Sequence, residues 1–343
     1  MAKFALSTTS KRALAAFCAL CTAITLASCG SSNNKTQASS AKSSTNTTKQ
    51  VKEDTGTLRV AYLTSANYLT TLSNNTKMAD KIFGKAKVTF SGPYVPPEAN
   101  TAVTSGNADV TTTGSGHFIH FISKGQPWVA YAINYYNGNA QGIVAAPNSG
   151  IKSLKDLYGK KIGIIAKGGS GDYIIHKAFE KAGLDPSKVQ EVEMSPKNFH
   201  AAFTTGQVDA LATFDQNFAA ALATPGSKLL VTAKDYGNIN FGIQVASAEF
   251  AKKHPQLLKK MYRALVEEGK RVKKKHSIIL DMYKKFGASD ETMKELAKFD
   301  IPQIRPMNAE TMKMLKQQAK EYVKYGFIKE VPDFSKAVID CSK

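Results

Sequence analysis

Ala102–Ser115, AVTSGNADVTTTGS, is echoed by Ala202–Asp215, AFTTGQVDALATFD. Each copy approaches as a helix, reaches a glycine (Gly106, Gly206) and places an aspartate three residues later (Asp109, Asp209). Each then runs into a short strand of small or apolar residues. Each copy also closes a similar run of alternating strands and helices. Around the second, Lys161–Ile165 reads as a strand, Tyr173–Ala182 as a helix, Val189–Glu193 as a strand, Phe199–Thr205 as a helix and Ala210–Phe214 as a strand. Around the first, Thr57–Leu63 and Lys87–Phe90 read as strands, with one helix between them over YLTTLSNNTKMADKIFGK. PWVAYAI reads as a buried strand with Trp128 packed beneath the sheet. Strands alternating with helices predict largely parallel sheets covered on both faces.

Two such units predict two lobes, with ligands held outside the carboxyl ends of the strands. NYYNGNAQGIVAAP and LVTAKDYGNINFGIQVAS are rich in Gly and Asn ahead of β-branched runs, and read as two segments crossing between the lobes. The first lobe is then residues 57–140 and 233–343, including the helices that follow Ala248, and the second is residues 141–232. Gly287, Pro302 and Pro306 interrupt the late helices.

The N-terminus sets the compartment. Lys3, Lys11 and Arg12 precede the apolar run ALAAFCALCTAITLASC, and no acidic residue occurs before Glu53. That run is too short for a membrane span and reads as a signal peptide over residues 1–28. Leu26-Ala27-Ser28-Cys29-Gly30 resembles a bacterial lipobox, which implies cleavage before Cys29 and a lipid on its thiol. Residues 29–56 lack aromatics and are nearly devoid of apolar side chains, so they read as a flexible tether from that lipid. With Cys18 and Cys21 removed and Cys29 lipidated, Cys341 has no partner for a disulfide. The composition is 43% hydrophobic, enough for a core, and the formal net charge is +19. Lysine dominates that charge, and only Arg59, Arg263, Arg271 and Arg305 lie beyond the signal. Scattered lysines without arginine or aromatic readers exclude a nucleic-acid partner and suit a basic surface beside anionic membrane or wall polymers.

KGGSGDYIIHKAFEKAGL follows an apolar strand and opens a helix on glycines. A phosphate loop needs a lysine where Gly169 stands, and the dinucleotide fingerprint fails after Gly171. What remains is a helix start with free backbone N–H groups and a positive end. Thr112–His117 leads into a second such start. Two helix starts facing each other would clamp a small anionic or zwitterionic group with neutral donors. Ser170, His176 and Asp215 lack the nucleophile elbow of a hydrolase. His117 and His120 have metal-compatible spacing without a third and fourth ligand, so no metal is expected. Tyr135, Tyr136 and Tyr173 would wall the cleft if the ligand were a ring.

SGIKSLKDLYGKKIGIIAKGGSGDYIIHKAFEKAGLDPSKV resembles the signature segment of the substrate-binding components of sulfonate, taurine and nitrate ABC importers, a group with pyrimidine-precursor-binding relatives. The likeness runs from Thr57 to the end, through TSGNADVTTTGS, TTGQVDALATFD, ASAEFAKKHPQLLKKMYRALVE and YVKYGFIKEVPDFSKAVID. It implies an α/β, two-lobed periplasmic-binding-protein-like fold of type II, each lobe a mostly parallel sheet flanked by helices. It implies a monomeric, non-enzymatic, cofactor-free lipoprotein on the outer face of the bacterial cytoplasmic membrane, delivering a small solute to a permease driven by a cytoplasmic ATPase. The pocket residues it implies are Thr64, Ser65, Thr113, Gly114, Ser115, Gly116, His117, Tyr135, Asn139, Gly168, Gly169, Ser170, Gly171, Asp172, Phe214 and Asp215. The chain departs from relatives that flank the acidic residue with tryptophan and proline, having Phe214-Asp215-Gln216, and no arginine falls in the pocket loops. An alkanesulfonate or taurine is the expected ligand, with a heteroaromatic vitamin precursor as the alternative. An exported enzyme and a surface adhesion protein are the competing classes.

Overall fold

The computed structural model describes residues 54–65, 67–237 and 240–343. The signal peptide, Cys29 and most of the tether lie outside the described residues. Asp54–Gly56, read as the end of the tether, are attached to the domain: the Asp54 carboxylate lies 3.0 Å from His254 Nδ1 and accepts the Gly56 N–H at 3.0 Å. Among the described residues no helix is long and apolar enough to cross a membrane.

The strands are β1 (Thr57–Leu63), β2 (Lys87–Tyr94), β3 (Val110–Gly114), β4 (Trp128–Tyr135), β5 (Gln141–Ala145), β6 (Lys161–Ile164), β7 (Gln190–Glu193), β8 (Ala210–Phe214), β9 (Lys228–Thr232), β10 (Gly242–Ser247) and β11 (Gln303–Pro306). They form two sheets, ordered β11-β4-β10-β3-β1-β2 and β7-β6-β8-β5-β9. Without β11 the first order reads β4-β10-β3-β1-β2, and the second read backwards is β9-β5-β8-β6-β7. The two sheets are the same unit built twice.

Both sheets are mixed, which refines the expectation of mostly parallel ones. β1 pairs in parallel with β2 and β3, and β6 with β7 and β8. β10 and β5 run against both their neighbours. The reason is connectivity. β5 and β10 are the first strands after each crossing, so they enter their sheet from the cleft while the parallel strands end there.

The sequence echo has a structural meaning. In both copies a helix ends at a left-handed glycine, Gly106 (φ 74°) or Gly206 (φ 75°), a conformation open to glycine at no steric cost. The aspartate that follows grips the neighbouring parallel strand at its start. Asp109 Oδ2 accepts the Arg59 N–H at 2.7 Å and Asp209 Oδ2 accepts the Lys161 N–H at 2.8 Å. Their own N–H groups donate back to the carbonyls of Arg59 and Lys161, both at 2.8 Å. Asp109 also receives the Arg59 guanidinium, at 2.6 Å and 3.1 Å.

Alternation along the strands splits the core into layers. Leu58 and Val60 pack with Tyr68, Met261 and Leu265, whereas Ala61 and Leu63 belong with Phe118, Ile133 and Tyr322 on the other face. In the second sheet Ile162 and Ile164 face Ile174 and Phe179, while Leu211 faces Phe199 and Phe203. Trp128 is buried in β4 as expected. The helix expected between β1 and β2 is two, Tyr68–Ser73 and Thr76–Phe83. Asn74 and Asn75 sit at the break, where their short polar side chains compete with the helical backbone bonds.

Asp209→Ala should lower stability by about 1.5–3 kcal/mol, the worth of a hydrogen bond to a charged group, and Asp109→Ala by no less. Urea unfolding measures both; losses under about 0.5 kcal/mol, typical of neutral surface sites, would show that these brackets do not hold the strands.

Candidate functional site

A cavity of about 100 Å³ lies where the two sheets meet. The ends of β1 and β3 reach it from one side, and β8 with the loop after β6 from the other. Thr113, Gly114, His117, Ser170, Phe214 and Asp215 line it, all of them expected from the sequence.

Three helices begin at this cavity: Ser115–Ser123, Ser170–Lys181 and Asp215–Ala223. Their N-cap positions are Gly114, Gly169 and Phe214, and none supplies a side-chain cap. Asn67, Ser247, Ser289 and Asn308 cap four other helices, whereas Thr76–Phe83, Pro255–Lys274 and Ser277–Lys285 also start without a side-chain cap. A helix start presents N–H groups without intrahelical partners and a partial positive charge. What distinguishes the three is that they converge on one cavity. The first two starts stand close together: a Cβ on Gly114 would lie 2.8 Å from Ser170 Oγ.

The lining is mostly apolar and carries no lysine or arginine. Thr113 Oγ1 and Asn67 Nδ2 are buried beside it, and neither has a hydrogen-bond partner among the described residues. Such atoms cost roughly 1–3 kcal/mol each unless a partner is supplied. Burial pushes the His117 imidazolium down to about 4, with the neighbouring His120 adding to the effect, so this ring is neutral at physiological pH.

Asp215 is the one acidic side chain in the lining. It adopts φ 57°, a left-handed conformation that aspartate and asparagine tolerate better than most residues. Its carboxylate accepts the Tyr283 hydroxyl. Burial raises it to about 6, against bonds from Tyr283, Ser65 and the Gln216 N–H that favour the charged form. Burial, and then the Asp215 charge, raises the nearby Tyr136 phenol well above its ordinary value.

The crossing segments close the back of the cavity. Gln141 Nε2 donates to the Asn240 carbonyl at 3.3 Å, and Asn240 Nδ2 returns a bond to Gln141 Oε1 at 3.0 Å. The first N–H of two cavity helices is anchored here: Ser115 N–H to Phe241 O at 2.9 Å, and Asp215 N–H to Ala140 O at 2.7 Å.

The other expected residues lie elsewhere. Thr64 and Ser65 line a wider opening of about 490 Å³ that shares Pro96, Ile165, Phe214 and Asp215 with the inner cavity. Ser115, expected to bond the ligand, is fully buried and spends its hydroxyl on Asn240 Oδ1 at 3.0 Å and the Phe241 N–H at 3.3 Å. Gly116 packs against the Tyr322 hydroxyl, Gly169 against His117, and Gly171 against the Ala212 carbonyl; Gly168 lies towards Phe327 and His120. Asp172 turns away from the cavity and accepts the Gly168 N–H at 2.7 Å. The Tyr135 ring lies 3.7 Å from the Arg305 guanidinium, and Asn139 brackets Lys298 and Asp300. Tyr136 rather than Tyr135 faces the cavity, together with Asn67, Pro96, Gln141, Asn240 and Phe241. Tyr173 inserts instead into the apolar cluster of the first sheet and donates to Glu321 at 2.6 Å. Lys177 pairs with the same carboxylate at 2.7 Å. This is a second contact between the halves, formed by the Ser170–Lys181 and Ala309–Lys324 helices.

Residues 87–276 match the family model described as NMT1/THI5 like. The chain is 26% identical over 251 residues to a putative aliphatic sulfonates-binding protein of Escherichia coli K12, covering 72% of this chain and 78% of that one. Its fold is similar to the alkanesulfonate-binding protein from Xanthomonas axonopodis pv. citri bound to MOPS, with a TM-score of 0.74 at 20% identity over 82% of this chain and 98% of that one. It is also similar to the crystal structure of the E. coli periplasmic aliphatic sulphonate binding protein, with a TM-score of 0.71 at 23% identity over 83% and 92% of the two chains.

The half-buried Asp215 carboxyl yields a pH prediction. Asp215 binds its proton more tightly in the folded chain, at about 6, than an ordinary aspartate at 3.8. The folded state is therefore favoured at low pH, and that advantage is lost as pH rises from about 4 through 6. Asp215→Asn should match the wild type in stability near pH 4 and exceed it by up to about 3 kcal/mol at pH 8. Chemical unfolding across this range measures the difference; a difference that does not change with pH would contradict the burial assigned to this carboxyl.

Proposed function

The chain belongs to the NMT1/THI5-like family, and we propose that it is a solute-binding protein that captures a small aminosulfonate of the taurine type for an ABC importer. The observation that carries this reading is the convergence on one cavity of three helix starts and a single half-buried acid. A sulfonate spreads its charge over three oxygens and is well served by neutral N–H and O–H donors at helix ends. The unpartnered Thr113 hydroxyl and Asn67 amide supply two more donors. An ammonium a few bonds away would pair with the Asp215 carboxylate, which a plain alkanesulfonate leaves unpaired.

Two of the helix starts belong to different sheets, so a ligand that bonds both draws the halves together. It binds the closed form better than the open one, which is what shifts such an equilibrium. In this reading the closed receptor, held by lipid on Cys29 at the outer face of the cytoplasmic membrane, docks on a permease. ATP is hydrolysed on a separate cytoplasmic subunit and the receptor performs no covalent step. One observation favours a second ligand class: Tyr136, Phe214 and Phe241 present rings to the cavity beside Asp215, as an aminopyrimidine would require.

Calorimetry on the chain lacking residues 1–29 should show taurine binding about 10–100-fold tighter than ethanesulfonate, with Asp215→Asn removing most of that preference. Equal binding of the two sulfonates would remove Asp215 from ligand selection. Binding of an aminopyrimidine and no sulfonate would establish the second class in place of the first.

A further inference from the structure

Asp172, His176 and Glu191 converge away from the solute cavity; none of the three lines it. Asp172 and His176 lie one turn apart on the Ser170–Lys181 helix, and Glu191 is the second residue of β7. A carboxylate oxygen from each acid and a ring nitrogen of His176 lie within 4.8 Å of one another.

The cluster is built rather than casual. Asp172 is 2% exposed, and its Oδ2 is held by the Gly168 N–H at 2.7 Å. Its Oδ1 stands 2.8 Å from His176 Nδ1 yet has no hydrogen bond from it or from any other described residue. The Nδ1 atom lies 3.1 Å from the Asp172 main-chain oxygen instead. The 2.8 Å contact is an acid–imidazole ion pair in itself, and a carboxylate oxygen of Glu191 completes the group within 4.8 Å. The imidazole is also fixed from outside, its ring centre 5.1 Å from that of Tyr325 and 4.8 Å from that of Phe327.

We propose that Asp172, His176 and Glu191 form a binding site for a divalent transition metal of the zinc or manganese kind. One imidazole and two carboxylates suit those ions better than the all-oxygen shells of Ca²⁺ and Mg²⁺. Partial exposure of His176 and Glu191 leaves room for water in the remaining positions. Bound there, the ion would tie the first turn of the Ser170 helix to β7 and stiffen the start that faces the solute. The inference is independent of which solute that is.

The test is calorimetric titration of the untagged, metal-free chain with ZnCl₂ and MnCl₂, with MgCl₂ as the control, in two buffers of different ionisation enthalpy. One equivalent of Zn²⁺ or Mn²⁺ should bind with release of protons, because the ligand atoms must shed them. His176→Gln and Glu191→Gln should each weaken that binding by at least about tenfold while leaving solute affinity intact. Co²⁺ in place of the ion should give a visible absorption band in the wild type that is lost in both variants. Absence of stoichiometric binding, or binding unchanged in both variants, would overturn the proposal.

Discussion

The amide pair between Gln141 and Asn240 is the point on which the rest of the site depends. One side chain sits in the first strand after the outward crossing and the other just before the returning strand, and each donates to the other. Both are buried. Both bonds of the buried Gln141 amide run to Asn240, one to its carbonyl and one from its side chain, so replacing Asn240 would cost a buried amide a partner. From this pair the anchoring spreads outward: Ser115 bonds Asn240, Phe241 takes the first N–H of one cavity helix, and Ala140 takes that of another. The direction of β5 and β10, the position of the helix starts and the closure of the back wall all follow from the same crossing.

The charge distribution divides the molecule by depth. The chain is strongly basic, yet the inner cavity holds neither lysine nor arginine. Lys197 and His200 line the outer opening instead. A basic exterior draws anions toward the mouth, where screening by salt limits the effect to short range. In the proposed reading, recognition inside rests on neutral donors, one half-buried acid and aromatic walls, so that steering and selection fall to different residues at different depths.

The fold was legible because its signals are local and repeated. A glycine followed three residues later by aspartate encodes the helix stop and the strand bracket together, and it occurs in both halves. Mixed strand direction was not legible in the same way, since it depends on where a strand enters its sheet. At the site, the helix starts after Gly114 and Gly169 were readable from the sequence, and the third, after Phe214, was not. Nor was it legible which side chain of each first turn faces the solute. Ser115 is turned by Asn240, far away in sequence, and of the adjacent Tyr135 and Tyr136 only Tyr136 lines the cavity. Asp172 and His176 carried a helical spacing signal, but Glu191 joins them only through the pairing of β7 with β6.

The most direct measurement is a co-crystal structure with taurine, with the sulfur located by its anomalous signal. The sulfur should lie between the start of the Ser115 helix and that of the Ser170 helix, with the ammonium on the Asp215 side. A sulfur bound outside this cavity, or a ligand reversed so that its sulfonate meets Asp215, would contradict the account of how these helix starts and this acid divide the work.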